Sequence, residues 1–156
     1  FRPVCVGNGQ AHIATHLTPD VCQTLNCMHD PMAVMEVKPG RGKFIRRLTP
    51  LECERLQGFP DNWTDIGEWI DSNGKVHKES ANTGRYKAMG NSIALPPWRW
   101  VLSRLYKQFD RPATMASLFD GVGGFPLIWR ELGGETLWAS EIESFPIAVT
   151  KRRLGE

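Results

Sequence analysis

Apolar and polar positions fall into blocks whose spacing changes along the chain, and those changes mark its elements. The first 40 residues carry short apolar pieces, Pro3-Val4-Cys5-Val6 and Met32-Ala33-Val34-Met35, set among Gly, Pro, His and Asn. This pattern predicts short strands joined by loops. Around Thr49 the pattern predicts a two-turn helix. Thr49 is a good N-cap, Pro50 suits the first helical position, Glu52 completes a capping box, and Gly58 then Pro60 stop the helix. Glu52 and Arg55, three apart on one face, are expected to form an ion pair. Asp61 to Gly84 is polar and turn-rich, with Asn73-Gly74 as a hairpin signal between Trp69-Ile70 and Val76. Beyond it, Asn91 or Ser92 can cap a helix whose apolar stripe is Val101, Leu102, Leu105 and Tyr106.

The last third of the chain reads as strand, turn, helix, strand, helix. An apolar run from Ala113 to Phe119 reaches the turn Asp120-Gly121-Val122-Gly123-Gly124. A helix pattern (Pro126, Leu127, Ile128, Leu132) leaves it and stops at Gly133-Gly134. A second β-like run, Glu135 to Ser140, is followed by a helix pattern through Phe145, Ile147, Ala148, Val149 and Leu154. The fold class is therefore α/β. Glycines at a strand-to-helix turn let backbone approach a ligand and leave N–H groups free at the helix start, which suits a nucleotide-like cofactor. Glu141 stands twenty positions after Gly121, where a carboxylate can accept hydrogen bonds from ribose hydroxyls. The dinucleotide fingerprint needs a third glycine at position 126, and Pro126 is there instead. That disfavours a nicotinamide or flavin site, and a nicotinamide-binding oxidoreductase fragment stays as an alternative.

Composition narrows the picture only a little. The chain has 156 residues, about one domain, and its 41% hydrophobic content is enough for a core. Net charge is +2, so there is no general polycation; the clusters Arg41-Lys43-Arg46-Arg47 and Lys151-Arg152-Arg153 are compatible with phosphate contacts. No apolar stretch reaches the ~20 residues that span a bilayer, and Phe1-Arg2-Pro3 does not open a signal peptide. The expectation is a soluble, intracellular chain without a membrane partner. Cys5, Cys22, Cys27 and Cys53 are too sparse for a disulfide scaffold, so reduced thiols are expected. A zinc site drawn from Cys22, Cys27, His12, His16 and His29 would lack a Cys-x-x-Cys pair, and no metal is expected.

Four strings together resemble one family, the DNA (cytosine-5)-methyltransferases. Arg47-Leu48-Thr49-Pro50-x-Glu52-x-x-Arg55-Leu56-Gln57-Gly58-Phe59-Pro60 resembles its ninth motif, and Gly90-Asn91-Ser92 within Arg85 to Pro96 resembles its tenth. Phe119-x-Gly121-x-Gly123-Gly124-Phe125 resembles the first, and Ala139-Ser140-Glu141-Ile142-Glu143 the second. The resemblance implies a Rossmann-like domain that binds S-adenosyl-L-methionine. Phe119 would stack on the adenine, Asp120, Gly121, Val122, Gly123 and Gly124 would cradle the methionine and ribose side, Glu141 and Ile142 would hold the ribose end, and Asn91 with Ser92 would complete the pocket. It divides the chain into a target-recognition remnant at 1–43, small, irregular and β-rich, a helical segment at 44–110 bearing the ninth and tenth motifs, and the start of the cofactor domain at 111–156.

The implied activity is methyl transfer to carbon 5 of a cytosine flipped out of double-stranded DNA, as in bacterial or phage restriction-modification systems, with a cytoplasmic location. In that chemistry a cysteine thiolate adds to carbon 6 of the base. No Pro-Cys-Gln nucleophile strand, Glu-Asn-Val or Gln-x-Arg-x-Arg motif occurs. Cys22-Gln23 is a weak nucleophile candidate, since polar Thr18-Pro19-Asp20 precedes it in place of a buried strand. Arg46 and Arg47 are the candidate DNA contacts. The motif order is ninth, tenth, first, second, as in a permuted or split enzyme. The chain is expected to supply the cofactor cradle, to lack the nucleophile, and to need a complementary methyltransferase fragment or self-association. A non-catalytic subunit completing another chain is the second alternative.

Overall fold

The computed structural model describes the backbone of residues 4–7, 16–19, 33–38 and 42–155, and the side chains of residues 46–155. Four strands open it: β1 (Val4–Gly7), β2 (His16–Pro19), β3 (Ala33–Lys38) and β4 (Gly42–Arg47). They form an antiparallel sheet in the order β2-β1-β3-β4, with Met35 opposite Ile45 and Ala33 opposite Arg47.

The chain then enters α1 (Pro50–Gln57) through the expected capping box. The Thr49 hydroxyl accepts from the Glu52 amide at 3.3 Å, and the Glu52 carboxylate accepts from the Thr49 amide at 2.8 Å. Gly58 ends the helix in the left-handed region at φ 80°, donating to the Arg55 carbonyl. The expected Glu52–Arg55 pair is not made. Glu52 turns back to its own N-cap and takes a two-pronged bond from Arg46 at 2.7 and 2.8 Å. Arg55 instead reaches forward to Asp61 at 2.6 and 2.8 Å.

A short hairpin, β5 (Trp69–Ile70) and β6 (Val76–His77), turns at Gly74, and Asp71 accepts from the Asn73 and Lys75 amides inside the turn. Two helices follow, α2 (Asn82–Gly90) and α3 (Leu95–Tyr106). The expected cap of α3 is corrected: Ala94 holds the N-cap position with no side-chain hydrogen bond, and Asn91 instead closes α2. A side-chain cap bonds the N–H of the second or third helical residue. Here those are Pro96 and Pro97, which have none. The expected stripe on α3 is divided as well. Leu102 packs against the core and Tyr106 meets Trp129 edge to face, while Val101 and Leu105 stay exposed.

The last elements are β7 (Thr114–Leu118), α4 (Gly124–Glu131), β8 (Glu135–Ser140) and α5 (Ser144–Leu154). β7 and β8 pair in parallel, as a strand-helix-strand crossover requires, and α4 packs on both. The core joins the early and late segments in one cluster. Leu48, Cys53, Phe59, Trp63 and Met89 come from before residue 91, and Val122, Ile128, Val149 and Leu154 from after residue 121. Leu95, Ile128 and Val149 are fully buried, each contributing about 1.5–3 kcal/mol. Polar ties cross the same junction. The Trp63 indole donates to the Val122 carbonyl at 2.7 Å, and Arg153 donates to the carbonyls of Trp63 and Asp65 at 2.9 and 2.8 Å. Among the described residues, no helix is long and apolar enough to cross a membrane.

Candidate functional site

The loop between β7 and α4 is a backbone device. Phe119 is held at φ 52°, Gly121 at φ 58° and Gly123 at φ 83°, so the chain reverses within five residues. A positive φ is unusual for a phenylalanine, and here it throws the ring outward, 92% exposed. Asp120 turns the other way. Its buried carboxylate accepts from the Ser117 hydroxyl, and its amide donates to the Ser140 carbonyl at 2.9 Å, which ties the turn to the end of β8. Val122 is sunk in the core, and a Cβ on Gly124 would meet Leu95, Ile93 and Phe59 at 3.1–3.4 Å. Gly121 is the open position, with nothing within 4 Å of where a Cβ would stand. Backbone is therefore bare on the side where a ligand would come.

Glu141 sits opposite and is locked in place. Its Oε2 accepts from the Gly121 amide at 2.7 Å, and its Oε1 from the amides of Ile142 and Glu143 at 2.7 and 2.9 Å. Burial is the largest influence on this carboxyl and raises its pKa, but the three amide donors together outweigh it and the net shift is downward. The group is thus held ionised, an acceptor with one of its about four lone-pair sites, on Oε2, still to offer.

These parts enclose a cavity of about 210 Å³. Phe119 and Gly121 line it from the turn, Glu141 and Glu143 from the β8–α5 connection, Phe145 and Pro146 from the first turn of α5, and Gly84, Lys87, Ala88 and Asn91 from α2 and its end. Lys87 and Glu143 form an ion pair at 2.9 Å between the two walls. Of the residues expected from sequence, the cavity gathers Asn91, Phe119, Gly121 and Glu141. Asp120, Val122, Gly123 and Gly124 shape the turn beneath it, Ile142 stands exposed beside Glu141, and Ser92 is not part of the lining. Sequence reasoning missed Gly84, Lys87, Ala88, Glu143, Phe145 and Pro146 as lining residues. The signal was helical spacing, since 84, 87, 88 and 91 fall on one helix face.

Arg46 is engaged with Glu52 and Arg47 is exposed. Cys22, Cys27, His12 and His29, and the side chains of Cys5 and His16, lie outside the described residues. Cys53 is buried, and burial pushes its thiol up to about 11. It is a core thiol, kept in the protonated form that is the poorer nucleophile. Among the described residues, no group of three or more His, Cys, Asp or Glu could hold a metal ion. A second cavity of about 530 Å³ lies between the β5–β6 hairpin and α5, and none of the expected site residues lines it.

The family model described as C-5 cytosine-specific DNA methylase matches residues 10–107. The chain belongs to this family. The match covers the ninth and tenth motifs and ends before the glycine turn. Among curated relatives, the chain is 35% identical to the DNA N-6-adenine-methyltransferase of Escherichia phage P1, over 67% of this chain and 16% of that protein. It is 32% identical to the type II methyltransferase M.HgiCI of Herpetosiphon aurantiacus, over 70% of this chain and 22% of the relative. It is also 32% identical to the DNA (cytosine-5)-methyltransferase DRM2 of Oryza sativa subsp. japonica, over 60% of this chain and 13% of the relative. The chain thus spans less than a quarter of the length of each of these methyltransferases.

Proposed function

We propose that this chain is the cofactor-holding part of a DNA (cytosine-5)-methyltransferase, permuted or split in its motif order, which takes part in methyl transfer from S-adenosyl-L-methionine to carbon 5 of cytosine in DNA. The observation that carries this reading is the convergence on one cavity of Asn91, Phe119, Gly121 and Glu141, which come from three of the four family-like strings. The residues fit such a group. Phe119 offers an exposed ring for a nucleobase, the bare backbone at Gly121 admits close approach, and ionised Glu141 suits ribose hydroxyls. Ile142, nearly fully exposed beside it, supplies a second apolar surface, and Asn91, with Ser92 next to it, would meet the methionine end. The bound cofactor would supply an electrophilic methyl group; this chain's residues bind and orient it.

In this reading the parallel pair β7–β8 is the opening of a Rossmann-like domain, residues 44–110 are its closing helical segment, and residues 1–43 are a target-recognition remnant. The substrate is double-stranded DNA with a flipped cytosine, with Arg47 and Arg46 as contacts, in a bacterial or phage setting of the restriction-modification kind. The nucleophile comes from a complementary methyltransferase segment, or from Cys22. If Cys22→Ser leaves reconstituted methyl transfer unchanged, Cys22 is not the nucleophile. The same features describe a non-catalytic subunit that completes another chain in trans. The nicotinamide alternative draws no support from the family match.

The test is calorimetric titration with S-adenosylhomocysteine, alongside Glu141→Ala. Loss of the carboxylate should weaken binding by roughly 1.5–3 kcal/mol, as expected for hydrogen bonds to a charged group. Equal binding by the variant, or stabilisation of the folded chain by NAD and not by S-adenosylhomocysteine, would overturn the assignment.

A further inference from the structure

We infer that Glu54 is a positioning residue for the cavity: through Arg85 it fixes the axial setting of α2, the helix that forms one wall. The inference rests on the cofactor reading of that cavity. α2 has two working faces. Gly84, Lys87, Ala88 and Asn91 line the cavity, while Arg85 and Met89, 8% and 1% exposed, face α1. α1 holds that second face at two points one helical turn apart. Glu54, completely buried, accepts from the Arg85 guanidinium at 3.1 Å, and Gln57 donates to the Met89 carbonyl at 3.3 Å.

The clamp is braced by the loop after α1. Glu54 Oε1 also accepts from the Thr64 amide at 2.9 Å and from the Thr64 hydroxyl, and that hydroxyl in turn accepts from Arg85 Nε at 2.9 Å. Asp65 takes the other arm of the guanidinium at 3.4 Å. Buried ionic groups add little net stability but can set register, because a misaligned pair leaves charge uncompensated. An apolar seam between α1 and α2 would tolerate slippage, and one turn of slip would carry Asn91 about 5.4 Å from its place.

The experiment uses the whole chain and separates position from stability. In Glu54→Leu/Arg85→Met the pair is replaced by apolar groups, so neither buried charge is left facing an empty place, while the Thr64 amide and hydroxyl lose their acceptor. The expected result is a modest fall in Tm from the two Thr64 donors left unpaired, faster amide hydrogen exchange in α2, and S-adenosylhomocysteine affinity weaker by about tenfold, more than the fall in Tm accounts for and of the size seen for outer-shell partners of metal ligands. Glu54→Gln, which keeps the shape and loses the charge, should show a smaller change of the same kind and serves if the double variant does not fold. Unchanged affinity with unchanged α2 exchange overturns the clamp, as does affinity that falls only in step with Tm. If the unaltered chain binds no S-adenosylhomocysteine while the variants still loosen α2, the cofactor reading falls and the clamp stands.

Discussion

Glu52 shows how one carboxylate can serve two purposes and defeat a spacing rule. Its distance from Arg55 along the helix suits an ion pair, yet its oxygens are already committed to the Thr49 amide and the Arg46 fork. The Arg46 hydrogen bond is the main cause holding its pKa at about 2, below the ordinary 4.5. The sign follows from linkage: a carboxyl whose folded pKa is depressed stabilises the fold above its unfolded value and loses that contribution as pH falls through the folded value. Urea denaturation should therefore show a component lost between about pH 4.5 and pH 2. Both side chains are about a third exposed, so solvent screening and the cap together limit the effect to about 1–2 kcal/mol. Glu52→Gln should remove that component, and an unchanged pH profile in the variant would show that the pair contributes nothing.

At the level of elements, the legible features were those decided within a few residues. Thr49, Pro50, Glu52 and Gly58 write α1 into local chemistry, and Asn73-Gly74 writes the hairpin, because caps and turns are satisfied by neighbours in sequence. The features that could not be read depend on distant partners. Arg46 and Asp61 each lie six residues from the charge they meet, α3 needed no side-chain cap because of Pro96 and Pro97, and Val101 and Leu105 of its stripe stay exposed. The cavity was legible at Phe119, Gly121, Glu141 and Asn91, but its α2 wall was not, since that wall appears only when α1 orients the helix. The Trp63 bond to the Val122 carbonyl is another long-range tie, joining the loop after α1 to the glycine turn. Trp63→Phe keeps most of the ring and leaves that buried carbonyl unpaired, a cost of about 1–3 kcal/mol. It should also weaken S-adenosylhomocysteine binding, because the carbonyl lies inside the turn. Stability and affinity both equal to those of the unaltered chain would sink this coupling.

For the whole molecule the decisive feature is the β7–β8 pair, which packs against α4 and, among the described residues, leaves large apolar side chains exposed. Parallel strands normally have both faces buried, and two strands alone are marginal. Here Leu118 and Trp138 remain 64% and 51% exposed, and the chain spans less than a quarter of its methyltransferase relatives. Apolar exposure of this kind is expected where another part of the same fold belongs. Labelled methyl transfer to cytosine-containing duplex DNA should accordingly be absent for this chain by itself and appear on mixing with a family segment that carries the Pro-Cys-Gln motif. Trp138→Glu should block that recovery while leaving the capping box and the Trp63 tie intact, since neither touches the sheet. Transfer by the chain alone would place the nucleophile within these 156 residues and return attention to Cys22. Recovery undiminished by Trp138→Glu would mean that the two parts meet on some other surface, and the exposed face of β7 and β8 would then belong to association between copies of this chain.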